Sequence, residues 1–151
     1  MKVRECMTTN VITVGLATPL RELAKILHEK NINGVPVVDS DNKVVGVVCE
    51  SDLLDQNVPL HIPTVFVILD SIIPLENPWR LHKDFKRITA STVEDVYSFP
   101  AVCVDPETDV SEAAEIMTGK KYYTIPVIKD EELVGVLGKG DIIRAIAQGM
   151  L

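Results

Sequence analysis

The chain has 151 residues, 46% hydrophobic and 25% charged, values of a globular protein rather than a disordered tail, and a chain of this length buries about 68–70% of its unfolded surface. Its formal net charge of -7 repels DNA, RNA and anionic membrane surfaces, which excludes nucleic acid and membrane as expected partners. The three cysteines, Cys6, Cys49 and Cys103, lack the CxxC spacing of a zinc site or redox pair and read as reduced cytosolic thiols packing as small hydrophobes.

The opening residues Met1, Lys2, Val3, Arg4 and Glu5 have no apolar stretch behind their charges, so they do not read as a secretory signal. Residues 11–14 are the first short apolar run and predict a strand. Thr18 stands where a helix N-cap belongs, with Pro19 at the first helical position. Leu20, Leu23, Ala24 and Leu27 follow at i, i+3, i+4 and i+7, so one face of that helix is built for burial. Residues 35–38 and 44–49 are β-branched runs either side of the turn-forming Asp39, Ser40, Asp41 and Asn42, a hairpin pattern. Asp52 then opens a closing helix.

The longest uncharged run, residues 56–69, is interrupted by Pro59 and Pro63 and falls short of the roughly 20 residues of a membrane helix. A soluble, cytoplasmic protein is the expectation. The apolar residues 64–69 within it predict a buried segment, and Asn77 followed by Pro78 predicts a helix start. Leu81, Phe85 and Ile88 then make a stripe on a helix running to about Ala90. That helix also carries Arg80, Lys83, Lys86 and Arg87 against Asp84, which reads as a solvated face, as a docking surface for an acidic partner, or as a contributor to phosphate attraction.

From Val93 onward the first half returns, because residues 3–54 reappear as residues 93–143 at a shift of ninety positions. Val14 falls on Val104, Thr18 on Thr108, Glu22 on Glu112, Ala24 on Ala114, Pro36 on Pro126 and Val37 on Val127. After a one-residue step, Val45, Gly46, Val47 and Asp52 match Val134, Gly135, Val136 and Asp141. The second copy has its own strand at 101–104, N-cap Thr108, helix stripe Val110, Ala113, Ala114 and Met117, and hairpin strands at 125–128 and 133–137. Neither copy alone can hide both faces of its small sheet, so the two are expected to pack about a pseudo-twofold axis. The fold class is therefore α+β: two β-α-β-β-α repeats, residues 1–57 and 93–151, with an inserted, partly helical segment at 58–92.

Gly34, Val35, Pro36, Val37, Val38 and Asp39, with Thr124, Ile125, Pro126, Val127 and Ile128, make up the first matched stretch. Gly46 to Asp52 and Gly135 to Asp141 make up the second. In this order, twice, they resemble the CBS domain family, named for cystathionine β-synthase, whose repeats pair into Bateman modules. The resemblance implies an adenine-binding cleft between the repeats. By position it places Thr13 and Cys103 on the first strand of each copy, Asn33, Gly34, Val35 and Pro36 through Val37 on one purine wall, and Tyr123, Thr124, Ile125 and Pro126 through Val127 on the other. Asp52 and Asp141 fall on the ribose-binding Asp of a TxxD element, where two acceptor oxygens suit the two ribose hydroxyls. The Thr of that element is Cys49 in one copy and Gly138 in the other. Backbone amides of Gly138, Lys139 and Gly140 at a helix N-terminus, with the Lys139 ammonium, are the expected phosphate contacts in the second copy. Glu50 stands in the place of Lys139 in the first and repels phosphate.

Each of these residues also has a structural reading. Asp52 and Asp141 suit a helix N-terminus, Lys139 suits a solvated surface, and Tyr122 and Tyr123 suit packing. His28, His61 and His82 are scattered without companion ligands, so no metal site is expected, and no nucleophile motif is present. The resemblance implies a stand-alone, non-enzymatic regulatory module that senses AMP, ADP, ATP or S-adenosylmethionine, has no catalytic cofactor, forms a homodimer, and has in addition an unidentified protein partner. A dimerisation or docking module with decayed ligand sites is the alternative. The phosphorylated ligand is expected at a site formed largely by the second copy.

Overall fold

The apolar spacing at Leu20, Leu23 and Leu27 produces helix α1, Leu20–Lys30, whose buried face is made of those three leucines. In the computed structural model, which describes residues 1–54, 65–68, 71–74 and 91–150, the flank of that stripe is filled by the partly buried Ile26. Ala24, expected on the stripe, faces solvent. The helix ends at Asn31, which takes the left-handed conformation with φ 51° that Asn tolerates.

Strand β1, Val14–Gly15, lies parallel to β2, Gly34–Val38, which turns back antiparallel into β3, Val44–Cys49. The Asp-rich turn works through one carboxylate: Asp39 Oδ1 accepts from the amides of Asp41 at 2.9 Å and Lys43 at 3.0 Å. Helix α2, Glu50–Leu54, closes the copy. The second copy repeats the plan with α3, Val110–Lys120, a hairpin of β6, Thr124–Lys129, and β7, Glu132–Gly138, and helix α4, Lys139–Ala147. Both hairpins shift register at the same place, between Val37 and Val38 and between Val127 and Ile128. Between the copies, β4, Val65–Ile68, and β5, Ser71–Pro74, form an antiparallel ladder of their own. The helix expected after Pro78, with its basic face, lies outside the described residues.

The expected N-caps move by one residue. Pro19 and Asp109 precede the helices, and the Thr18 hydroxyl accepts instead from the Gly15 amide at 3.1 Å. The orphan amides at the helix starts are satisfied from the other half of the chain. Leu20 N–H donates to the Ser91 carbonyl at 3.1 Å, and Val110 N–H donates to the Met1 carbonyl at 3.0 Å.

These bonds belong to a reciprocal exchange. The 3₁₀ turn Val3–Glu5 carries fully buried Val3 into the second copy's core with Ile125 and Leu137, and the turn Val93–Asp95 carries fully buried Val93 into the first copy's core with Leu23 and Val48. Beyond each turn the chain pairs with the outer side of the opposite hairpin, Thr8 with Val136 and Ser98 with Val47. It must then cross to its own sheet, where Val14 pairs with Val37 and Val104 with Val127. This crossing explains why the strands expected at 11–14 and 101–104 are shorter: one shrinks to Val14–Gly15 and the other to the single bridge at Val104.

The exchange also explains the matched glycines Gly46 and Gly135. A Cβ on Gly46 would stand 2.4 Å from the Ser98 carbonyl oxygen, and one on Gly135 would stand 2.5 Å from Met7 Sδ. On the pseudo-twofold itself, the equivalent residues Gly34 and Thr124 meet, and a Cβ on Gly34 would lie 3.0 Å from Thr124 Oγ1. Among the described residues no helix is long and apolar enough to cross a membrane.

Backbone cannot step aside as a side chain can. Gly46→Ala is therefore expected to lower the unfolding free energy by about 1–3 kcal/mol in urea titrations, while Gly135→Ala, opposed mainly by the flexible Met7 side chain, costs less. Equal losses would contradict the close approach at Ser98.

Candidate functional site

Where β7 ends, Gly138 N–H donates to Asp141 Oδ2 at 2.8 Å, so the carboxylate at the third position of α4 closes back over the helix start. Cys49 N–H donates to Asp52 Oδ2 at 2.7 Å in the same way. The reading of both acids as helix-stabilising groups is thus physically realised. Each has a second oxygen in contact with the opposite crossing segment. Thr8 Oγ1 donates to Asp141 Oδ1 at 3.3 Å and Ser98 Oγ to Asp52 Oδ1 at 3.3 Å. The paired hydroxyls at Thr8 and Ser98 obey the ninety-residue shift, a signal available in the sequence.

Two clefts open at these acids. The one at Asp141 has a volume of about 570 Å³, and the one at Asp52 about 110 Å³. In the larger, Gly138, Lys139, Gly140, Asp141 and Arg144 come from the second copy, and Asn31 through Pro36 of the first copy form the facing wall. The crossing segment adds Thr8, Asn10 and Ile12, and Tyr123 and Thr124 complete the rim. The cleft is therefore composite: its charged groups come from the second copy and most of its wall from the first. Val35 and Pro36 are almost wholly buried, so they present chiefly backbone.

Nine of the residues expected from the sequence thus come together: Asn33, Gly34, Val35, Pro36, Tyr123, Thr124, Gly138, Lys139 and Asp141. Asp52 lies in the smaller cleft, which Tyr123 and Thr124 also line. Thr13, Cys103, Ile125 and Pro126 line neither. Ile12 and Val102 line the clefts in the place of Thr13 and Cys103, as neighbouring residues present opposite sides along extended chain, and Ile125 is fully buried in the core. Arg144 was not among the expected residues, although it sits one helical turn after Asp141, on the same face.

The difference in size follows from the aligned side chains. Asn10, Asn31, Ile32 and Asn33 around the larger cleft correspond to Pro100, Lys121, Tyr122 and Tyr123 around the smaller. Tyr123 is shared by both, and its ring holds the Lys139 ammonium at 5.3 Å from the centroid. The smaller cleft also differs in field. Burial first, then the charges of Asp52 and Glu50, push the half-buried Cys49 thiol up to about 12, so it stays protonated and neutral near pH 7. Among the described residues, no group of three or more His, Cys, Asp or Glu side chains is placed to hold a metal.

A family model described as the CBS domain matches residues 3–58 and 93–148. An uncharacterized protein of Methanocaldococcus jannaschii is 26% identical over 137 residues, covering 84% of this chain and 80% of that protein. The chloroplastic CBS domain-containing protein CBSX1 of Arabidopsis thaliana is 30% identical, with 87% of this chain and 57% of that protein covered. Among solved structures, the CBS-pair protein CBSX2 of Arabidopsis thaliana superposes with a TM-score of 0.73 at 25% identity, covering 99% of this chain and 96% of that one. The structure of CBSX2 in complex with AMP superposes at 0.71 and 25% identity, covering 99% of this chain and 98% of that one.

The raised Cys49 pKa carries a sign. The unfolded thiol ionises near 9.0 and the folded one near 12, so between these values the unfolded state binds fewer protons and stability falls as pH rises. Cys49→Ser is expected to flatten that alkaline decline in denaturation midpoints measured across the window. An unchanged slope would mean that the thiol ionises freely in the folded protein.

Proposed function

We propose, since this chain belongs to the CBS-domain family, that it is a regulatory module binding a phosphorylated adenosine compound of the AMP, ADP or ATP class in the cleft at Asp141. The observation that carries this is the cleft's own composition. An acceptor-only carboxylate, two cations and a wall of β-strand backbone converge in about 570 Å³, within the roughly 300–1,000 Å³ of small-molecule sites. Backbone polar groups along Gly34 to Pro36, where the proline supplies a carbonyl but no N–H, suit the edge of a purine, and Asp141 suits ribose hydroxyls. Of the three amides expected at phosphate, that of Gly138 is taken by Asp141 and that of Lys139 by the Tyr123 carbonyl, so the Gly140 amide with the Lys139 and Arg144 side chains is what suits phosphate. The CBSX2 complex with AMP supports the ligand class.

The second cleft, at about 110 Å³, is below that range and lies in the field of Asp52 and Glu50. One phosphorylated ligand per chain is the stoichiometry that follows.

Binding would act on assembly through α4. Its cleft side carries Asp141 and Arg144, while Ile143 and Ile146 are 58% and 55% exposed, followed by Met150 at 46%. Leu54, at the position of α2 equivalent to Ile143, is 67% exposed. An apolar face repeated in both copies suits a homodimer, whose interface is self-complementary. A ligand that prefers one setting of α4 would then shift the assembly by its differential affinity.

Two measurements test this reading. AMP at one hundred times its Kd is expected to raise Tm by roughly 5–11 °C, a response lost in Asp141→Asn and kept in Asp52→Asn; no response to any adenosine compound would sink the proposal. In light scattering, Ile143→Glu is expected to convert a dimer to monomer, and a wild-type monomer at every concentration would remove the assembly step.

A further inference from the structure

Asp141 has little acceptor capacity to spare. An ionised carboxylate offers about four lone-pair sites, and the Gly138 amide, the Thr8 hydroxyl and the Arg144 guanidinium already occupy acceptor positions on its two oxygens. Arg144 Nη2 makes the shortest of these contacts, 2.7 Å to Oδ1, and also donates to the Cys6 carbonyl at 3.2 Å. Two ribose hydroxyls arriving as donors would compete with Arg144 for Oδ1.

Arg144 is equipped to leave. Its side chain is 55% exposed while that of Asp141 is 10% exposed, and its Nε and Nη1 donors have no hydrogen-bond partner among the described residues. The other cation of the cleft, Lys139, is held against the Tyr123 ring. The first copy lacks both cations: Glu50 takes the position of Lys139, and Asp55 takes that of Arg144 in the sequence. The repeats therefore differ by charge reversal at the two positions that flank the shared Asp.

Resting on the reading that the Asp141 cleft holds an adenosine compound, we propose that Arg144 is the specificity-determining residue that reads the ligand's 5′ charge, exchanging its contact with Asp141 for the ligand phosphate as the ribose hydroxyls take over the carboxylate. The exchange is balanced in hydrogen bonds: the carboxylate trades one donor for another, and the guanidinium trades one anion for another. A nucleoside without phosphate offers Arg144 nothing in return, and a ligand with a cationic sulfonium at that place meets two cations. The cleft thus selects phosphorylated adenosine over adenosine, and over S-adenosylmethionine more strongly.

Titration calorimetry of the full chain with adenosine, AMP and S-adenosylmethionine tests this, using wild type, Arg144→Gln and Arg144→Lys, with thermal unfolding confirming that each variant folds. Wild type is expected to bind AMP about tenfold or more tightly than adenosine, with the gap narrowing as salt rises. Arg144→Gln should lose most of that ratio by weakening AMP while adenosine holds or tightens, and Arg144→Lys should restore part of it. Equal losses for AMP and adenosine would show that Arg144 only supports Asp141, and an unchanged ratio would show that it does not read charge. Either result overturns the inference while leaving the cleft as a nucleotide site. If wild type binds neither compound, the reading of the cleft fails and takes this inference with it.

Discussion

The structure depends on a trade of two short segments. Each copy's leading turn leaves its own sheet, caps the opposite copy's first helix through a backbone carbonyl, and fills that copy's core with a valine, Val3 in one direction and Val93 in the other. Full burial of a Val stabilises by about 1.5–3 kcal/mol relative to exposure. Each copy therefore depends on the other both for core volume and for the hydrogen bonds of its helix start. The pairing of copies is a condition of each copy's folding rather than a later docking of finished units.

The same trade builds the clefts. Because residues 8–14 and 98–104 must pass from one sheet to the other, they run past the end of the opposite hairpin, where the closing helix begins. Thr8 arrives beside Asp141 and Ser98 beside Asp52. A cleft made this way necessarily draws on both halves of the chain, and anything bound at Asp141 touches a segment anchored in the second core and a wall belonging to the first sheet. Ligand and internal interface are therefore linked by adjacency, without a relay of intermediate residues.

What could be read from the residues depends on whether the physics leaves a mark on side-chain type. Hairpins with β-branched strands and an Asp-Asn turn, the leucine face of α1, and the acids at the third helical position all do so, and each stands where the pattern places it. The caps do not. A backbone carbonyl from Ser91 or Met1 can satisfy a helix amide whatever its side chain, so the Thr before each helix invited a local explanation for a distant bond. The crossing segments likewise look like ordinary strands, since an apolar residue on a crossing chain resembles one in a ladder. Gly46 and Gly135 were the visible trace of the exchange, because only the missing Cβ records how closely another chain passes. Thr13 and Cys103 were misplaced by one residue, enough in extended chain to turn a side chain to the opposite face.

The persistence of Asp in both copies is explained by folding alone. Each carboxylate binds the amide at the start of its own closing helix and a hydroxyl of the opposite crossing segment, contacts that hold the repeat together whether or not a ligand arrives. The Asp is therefore weak evidence for binding, and equivalence of the two copies at that position says little about two equivalent sites. Lys139 and Arg144 are largely exposed, and they are the positions at which the copies reverse sign. Where a scaffold is duplicated, positions under structural constraint remain alike and those free of it can diverge. The chemical difference between the clefts thus rests on exposed charges, which the repeat pattern leaves unmatched.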